Sequence, residues 1–233
     1  MNEIILNIET STKVCSVAIS QGEAVLSIVE SLDENYSHAE KLNLSIEEAL
    51  AKAKLKMKDL DAISVSKGPG SFTGLRIGVS SAKGFAYALS KPLIACDTLD
   101  SLSKGYITKS NISEKDLVIP MIDARRSEVY MKIKDASSKT ISEIEAKVID
   151  SNSFDHLEKE NRTIHLIGDG ASKFSGLFSD SSNIKVHADF HASASYMTPL
   201  SYRSFIANKF EDLAYFEPFY LKDFVAIKPR KIF

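Results

Sequence analysis

The sequence predicts an α/β protein made of two similar lobes. Strand-type and helix-type apolar patterns alternate through the opening third of the chain. The composition then turns polar over residues 97–116, rich in Lys and Ser. A second set of short apolar runs begins at Val118. Alternation of this kind, broken once and resumed, is how a chain builds two layered units.

Ile4–Ile8 reads as a buried strand and Glu9–Lys13 as a polar turn. Val14–Ile19 and Ala24–Val29 follow as strands joined by a turn at Gln21-Gly22. Residues 38–54 read as a helix, because Leu42, Ile46, Ala49, Leu50 and Ala53 fall on one face at steps of three and four. Ser37 with Glu40 makes a capping box at its start, and Lys54, Lys56 and Lys58 suit its end. Ala62–Ser66 is a strand. The segment Lys-Gly-Pro-Gly-Ser-Phe-Thr-Gly-Leu-Arg-Ile-Gly, residues 67–78, leads from it into a helix over Phe72–Leu89 that Pro92 stops. Leu93–Ala95 is a short strand. Beyond the polar stretch, Val118–Ile122, Glu128–Ile133, Ile141–Val148 and Ile164–Ile167 read as strands. Gly168–Ser172 reads as a second glycine turn opening a helix, residues 179–189 as loop, and 197–210 as a helix with Thr198 as cap and Pro199 behind it. Three antiparallel strands, then helix, strand, helix, strand, is the opening order of a ribonuclease-H-like lobe. The second strand set predicts a duplicate. The expected divisions are 1–102, 103–212 and a tail, 213–233, returning to the first lobe.

Bulk properties exclude several classes. A net charge of −2 gives no general attraction to nucleic acid or acidic membrane. Two cysteines, Cys15 and Cys96, in apolar surroundings read as buried thiols rather than a disulfide. With no basic leader and no apolar run of membrane-spanning length, a cytoplasmic protein without membrane contact is expected.

The glycine segment carries the sharpest functional question. A strand, a glycine turn, a hydroxyl cap and a helix can aim backbone N–H groups at a phosphate. The segment lacks the lysine that a phosphate loop places after its last glycine, so it is not that class of nucleotide site. Its other use is packing: Gly68, Pro69 and Gly70 shape the loop, and Ser71 or Thr73 caps the helix. Thr10 and Ser11 in the first turn, and Asp123 at the equivalent turn of the second lobe, are the residues that could meet nucleotide phosphates. Gly168, Asp169 and Gly170 are the matching glycine turn. The five histidines include His187 and His191 at i, i+4, but in a segment with no helical pattern, so no metal site is expected. No nucleophile elbow marks a hydrolytic triad.

These motifs resemble the bacterial TsaB (YeaZ) family. The resemblance rests on "IILNIETSTKVCSVAI" at 4–19, "SHAEKL" at 37–42, "KGPGSFTGLRIG" at 67–78, "IDARRSEVY" at 122–130, "GDGASKF" at 168–174 and "PFYLKD" at 218–223. It implies an actin-like ATPase fold and a role in making threonylcarbamoyladenosine at position 37 of tRNAs that read codons starting with A. In that family a paralogue, TsaD, is the transferase. TsaB-like chains bind TsaD and the small ATPase TsaE, form homodimers when alone, and meet tRNA only through the complex.

The residues agree with that division. The paralogue bears paired metal-binding histidines on its early helix; here His38 stands alone. Glu9 occupies the place of the Asp common in metal-dependent actin-like ATPases. The resemblance therefore implies a degenerate nucleotide cleft (Thr10, Ser11, Asp123, Gly168, Asp169, Gly170), with no cofactor required and ATP or ADP admissible at an interface with partners. It implies docking on helices 38–54 and 72–89 through His38, Glu40, Gly74, Arg76, Gly78, Val79, Ala82, Lys83 and Ala86. On that reading Gly78→Arg or Val79→Glu removes the docking surface and spares the fold. The other readings are an actin-like ATPase or kinase using its own cleft, and a glycoprotease-like metallopeptidase.

Overall fold

A computed structural model describes residues 3–32, 38–157 and 162–222. The first sheet holds β1 (Ile4–Glu9), β2 (Val14–Gln21), β3 (Ala24–Leu32), β4 (Ala62–Gly68) and β5 (Leu93–Asp97), in the order β3-β2-β1-β4-β5. The second holds β6 (Leu117–Asp123), β7 (Glu128–Asp135), β8 (Thr140–Val148), β9 (Ile164–Ile167) and β10 (Ile184–His187), in the order β8-β7-β6-β9-β10. In each sheet the first three strands run antiparallel and the last two add parallel. The two sheets thus repeat one topology, and the duplicated ribonuclease-H-like lobes of an actin-like fold are present.

The helices are α1 (His38–Ala53), α2 (Phe72–Leu89), α3 (Thr98–Lys109) and α4 (Thr198–Ile206). α1 and α2 lie side by side on one face of the first sheet. Leu42, Ile46, Val79 and Ala82 join Leu6 and Ile8 there in one core. Ile5, on the opposite face of β1, packs with Ala194 and Met197 beside α4. Both faces are covered, so β1 reads as a continuous apolar run rather than an alternation. Cys15 and Cys96 are buried free thiols. Among the described residues no helix is long and apolar enough to cross a membrane.

Several expectations change. The Gly168–Ser172 turn opens only a short 3-10 turn, Ala171–Phe174, not a helix. Residues 184–187, read as loop, form β10, because pairing with β9 supplies the order that a short, half-polar segment does not show by itself. α4 is shorter than 197–210, and Met197, not Thr198, is its cap, with Thr198 and Pro199 inside the first turn. Ser37, half of the expected capping box, and residues 223–233 of the expected tail lie outside the described residues.

The expected divisions move as well. A boundary at 102 cuts through α3, whose Leu99, Leu102 and Tyr106 pack on Val118, Ile122 and Ile167 of the second sheet. The chain returns to the first lobe before residue 213: the Ala194 N–H donates to Ser16 Oγ at 2.8 Å and α4 packs beneath the first sheet. Each sheet is therefore covered by a helix that follows the other sheet in sequence.

Candidate functional site

The glycine segment and the β1–β2 turn fit into one another. A Cβ on Gly70 would stand 2.3 Å from the Ser11 carbonyl oxygen, and one on Gly74 would stand 2.1 Å from that of Thr10. The Ser71 N–H donates to the Ser11 carbonyl at 2.6 Å, and Thr10 Oγ1 donates to the Gly74 carbonyl at 2.8 Å. Ser71 Oγ accepts from the Gly74 N–H at 3.2 Å, so Ser71 rather than Thr73 caps α2. Pro69 follows a cis peptide bond. Gly68, at φ +110°, leaves room for the carbonyl of Phe219, 2.7 Å from where its Cβ would lie.

The consequence for the cleft is direct. Thr10 and Ser11 have no exposed surface. Two hydroxyls expected to face a phosphate instead lie beneath their own glycine segment. Glu9 is equally buried; its Oε1 accepts from the Ser11 N–H at 2.7 Å. Burial raises its carboxyl above the ordinary range, with a smaller push from Asp169.

On the facing lobe, the Asp123 carboxylate accepts from the Arg125 N–H at 2.6 Å and from the Lys173 ammonium. The same ammonium donates to the Arg126 carbonyl at 2.8 Å, so Asp123 and Lys173 stitch the β6–β7 turn. Gly168 and Gly170 do not form an open cradle: a Cβ on either would strike the β6 backbone at Met121 or Ile122. Asp169 Oδ1 accepts from the Asp123 N–H at 3.4 Å. Burial, then the Asp123 charge, pushes its carboxyl up to about 6. Among the described residues, no three His, Cys, Asp or Glu side chains are grouped to hold a metal ion.

The expected docking residues divide. Gly74, Gly78, Val79, Ala82 and Ala86 face the core of their own lobe, and His38 is buried with Nε2 2.8 Å from the Thr12 carbonyl. A Cβ on Gly78 would lie 2.2 Å from Thr10 Oγ1, so Gly78→Arg and Val79→Glu disrupt the fold itself. The small residues of α2 admit the β1–β2 turn, not a partner. Glu40 and Arg76 are exposed. Arg76 and Lys83 hold the chain's own C-terminal segment. Arg76 Nε donates to Tyr220 Oη at 3.2 Å over the Phe72 ring, and Lys83 Nζ donates to the Phe216 carbonyl at 2.9 Å.

The outward face of α2 has other features, which the reading of the sequence missed. Among the described residues, no atom outside its own helix turn lies within 4 Å of the Gly84 Cβ position, and Tyr87 is 80% exposed. With Lys83 and Asp212–Ala214 they line a mostly apolar groove of about 740 Å³. A lone glycine at an outward helical position was the available signal.

A family described as "TsaD: tRNA N6-adenosine threonylcarbamoyltransferase" matches residues 33–228. The chain is similar to a tRNA threonylcarbamoyladenosine biosynthesis protein TsaB from Buchnera aphidicola subsp. Schizaphis graminum, 31% identical over 74% of this chain and 81% of that protein. It is 33% identical to the TsaB of Escherichia coli over 54% of this chain, and 35% identical to that of Buchnera aphidicola subsp. Acyrthosiphon pisum over 56%. In these two alignments it spans only 52% and 57% of the relatives' length. Among solved structures, YeaZ from Pseudomonas aeruginosa superposes with a TM-score of 0.77 at 23% identity, over 94% of this chain and 100% of that one, which establishes the shared fold.

Proposed function

This chain belongs to the TsaB (YeaZ) family, and from that premise we propose that it serves threonylcarbamoyladenosine biosynthesis as a subunit that engages a TsaD-type transferase rather than performing the transfer. The observation that carries the non-catalytic reading is the burial of Thr10 and Ser11 beneath residues 70–74. A phosphate reaches those hydroxyls only if the glycine segment, the start of α2 and two short hydrogen bonds are displaced together. Asp123, the one exposed member of the set, is already neutralised by Lys173.

The same reading assigns docking to the outward side of the α1–α2 layer. Leu44 on α1 and Tyr87 on α2 are 65% and 80% exposed. Gly84 costs a helix interior about 1 kcal/mol relative to alanine, and nothing among the described residues requires it there. Close approach by another backbone is the use that such a position suits. A like copy gives a homodimer on this face and a TsaD-type chain a heterodimer. The TsaE-type ATPase and tRNA belong to the same assembly, and the site of the reaction is cytoplasmic.

The test is reconstitution. This chain, a TsaD-type transferase, a TsaE-type ATPase and the enzyme that makes the threonylcarbamoyl adenylate are mixed, and modified tRNA is measured with each omitted. Product should require this chain, and product formed without it refutes the subunit reading. Gly84→Arg should fold normally and fail to co-elute with the transferase; undiminished co-elution moves the docking face elsewhere. ATP binding by the isolated chain that is lost in Asp123→Asn would replace the non-catalytic reading with an ATPase.

A further inference from the structure

β9 and β10 pair in parallel with Lys185 opposite His165 and His187 opposite Ile167. His165 and His187 are thus diagonal neighbours on one face of the second sheet. α3 crosses that face and brings Tyr106 over both. Tyr106 Oη lies 2.9 Å from His165 Nδ1 and 2.9 Å from His187 Nε2, and the two nitrogens are 3.1 Å apart. A single Tyr–His hydrogen bond needs two of these atoms, not three.

The set is supported from behind. His165 Nε2 lies 3.3 Å from Asp116 Oδ2, and Asp116 is itself held by the N–H groups of Ser113 at 2.9 Å and Thr163 at 3.0 Å. A carboxylate on the far nitrogen fixes the proton there and leaves the Nδ1 lone pair aimed into the cluster, the arrangement that orients ligating imidazoles. Tyr106 and His165 are 5% and 6% exposed, while His187 is half-buried and opens the cluster toward solvent. Phe190 stands edge-on to Tyr106 and stacks on Tyr196. Lys185 is the nearby cation.

We propose that His165 Nδ1, His187 Nε2 and Tyr106 Oη form a binding site for a divalent first-row transition ion of the zinc class. Bonds of about 2.0–2.1 Å in a tetrahedron set donors about 3.3 Å apart. The triangle closes on the ion after an outward shift of a few tenths of an ångström, with water in the fourth position on the His187 side. Burial favours the neutral form of both imidazoles and of the phenol alike, so the ion meets two ready lone pairs and must displace the Tyr106 proton. The phenol gives its proton to solvent as the metal–oxygen bond forms.

Calorimetric titration of Zn²⁺ into the full chain tests this. One saturable site is expected, weakened at least about tenfold in His187→Gln and less in Tyr106→Phe, with His156→Gln, outside the cluster, unchanged. Co²⁺ loaded into the unaltered chain should give the strong visible bands of a four-coordinate site, a readout independent of how any variant folds. Absence of saturable Zn²⁺ binding, absence of those bands, or full affinity in a folded His187→Gln leaves the cluster a hydrogen-bonded one and overturns the proposal.

Discussion

At Gly78 a single methyl group meets Thr10 Oγ1 at 2.2 Å. Gly78→Ala should therefore cost about 1–3 kcal/mol, as overpacking does. Thr10→Ala loses the hydrogen bond to the Gly74 carbonyl, about 1 kcal/mol, but removes the atom in the way. The double variant should be less damaged than the sum. Urea denaturation of all four proteins measures this, and strict additivity would mean the contact is not what fixes glycine there. Asp169 makes the opposite case. Its carboxyl sits near pKa 6 against an ordinary 3.8, so the folded chain holds the proton more tightly than the unfolded chain does. Its contribution is favourable below the unfolded value and is lost as pH rises through 6. Asp169→Asn keeps an acceptor for the Asp123 N–H and should be more stable by about 1–2 kcal/mol near pH 7.5. That advantage should vanish below about pH 4. A gap independent of pH counts against burial as the cause.

Among the elements, α2 shows what a sequence conveys and what it withholds. Its bounds, Phe72–Leu89, are legible because Ser71 caps it, Pro92 follows it and its stripe has helical period. The inward direction of its small residues is legible in the spacing too: Gly78, Val79 and Ala82 fall on the same arc as the buried Leu75, so that arc faces the core and not a partner. A helical glycine marks a close approach without saying to what, and at Gly78 the approach is to Thr10. Of the glycines in α2, Gly84 is the one that no other described residue approaches. Gly84→Ala should raise the melting temperature of the isolated chain by a helix-propensity gain of about 1 kcal/mol; an unchanged or lower value would mean that the chain itself uses the glycine. β10 is the contrary instance. Only Ile184 and Val186 alternate in it, and pairing with β9 makes it a strand. The neighbourhood of His165 and His187, twenty-two positions apart, follows from that long-range register and from nothing local.

Over the whole molecule, the exchange of helices makes the lobes interdependent. α3 leaves the first sheet and covers the second, while α4 leaves the second and covers the first. At the crossing, Lys132 of β7 reaches Asp97, at the end of β5, at 2.8 Å and Asp100 of α3 at 3.1 Å. Lys134 also reaches Asp100, at 2.8 Å. Lys132 stays charged because Asp97 and Asp100 outweigh the burial that opposes it. Asp97 also caps α3, accepting from the Asp100 N–H at 3.0 Å, so one carboxylate ends the first sheet, starts the crossing helix and grips the second sheet. Lys132→Met removes the cation paired with Asp97 and should cost about 3 kcal/mol, as breaking a buried pair does. If the pair couples the lobes, native-state hydrogen exchange should lose protection in β4 and β5 as well as in β7. Loss confined to β6–β8 would mean that the lobes open separately and that the crossing helices, not the ion pairs, hold them. A joined pair of lobes also bears on function. A chain whose lobes are cross-covered and ion-paired at the crossing holds the α1–α2 face, the docking face proposed above, as a fixed surface. If the chain docks on a TsaD-type transferase as proposed, Lys132→Met should weaken that association by more than its global stability loss predicts, measured at a temperature where both proteins remain folded; affinity equal to that of the unaltered chain would show that the face does not depend on the lobes being locked.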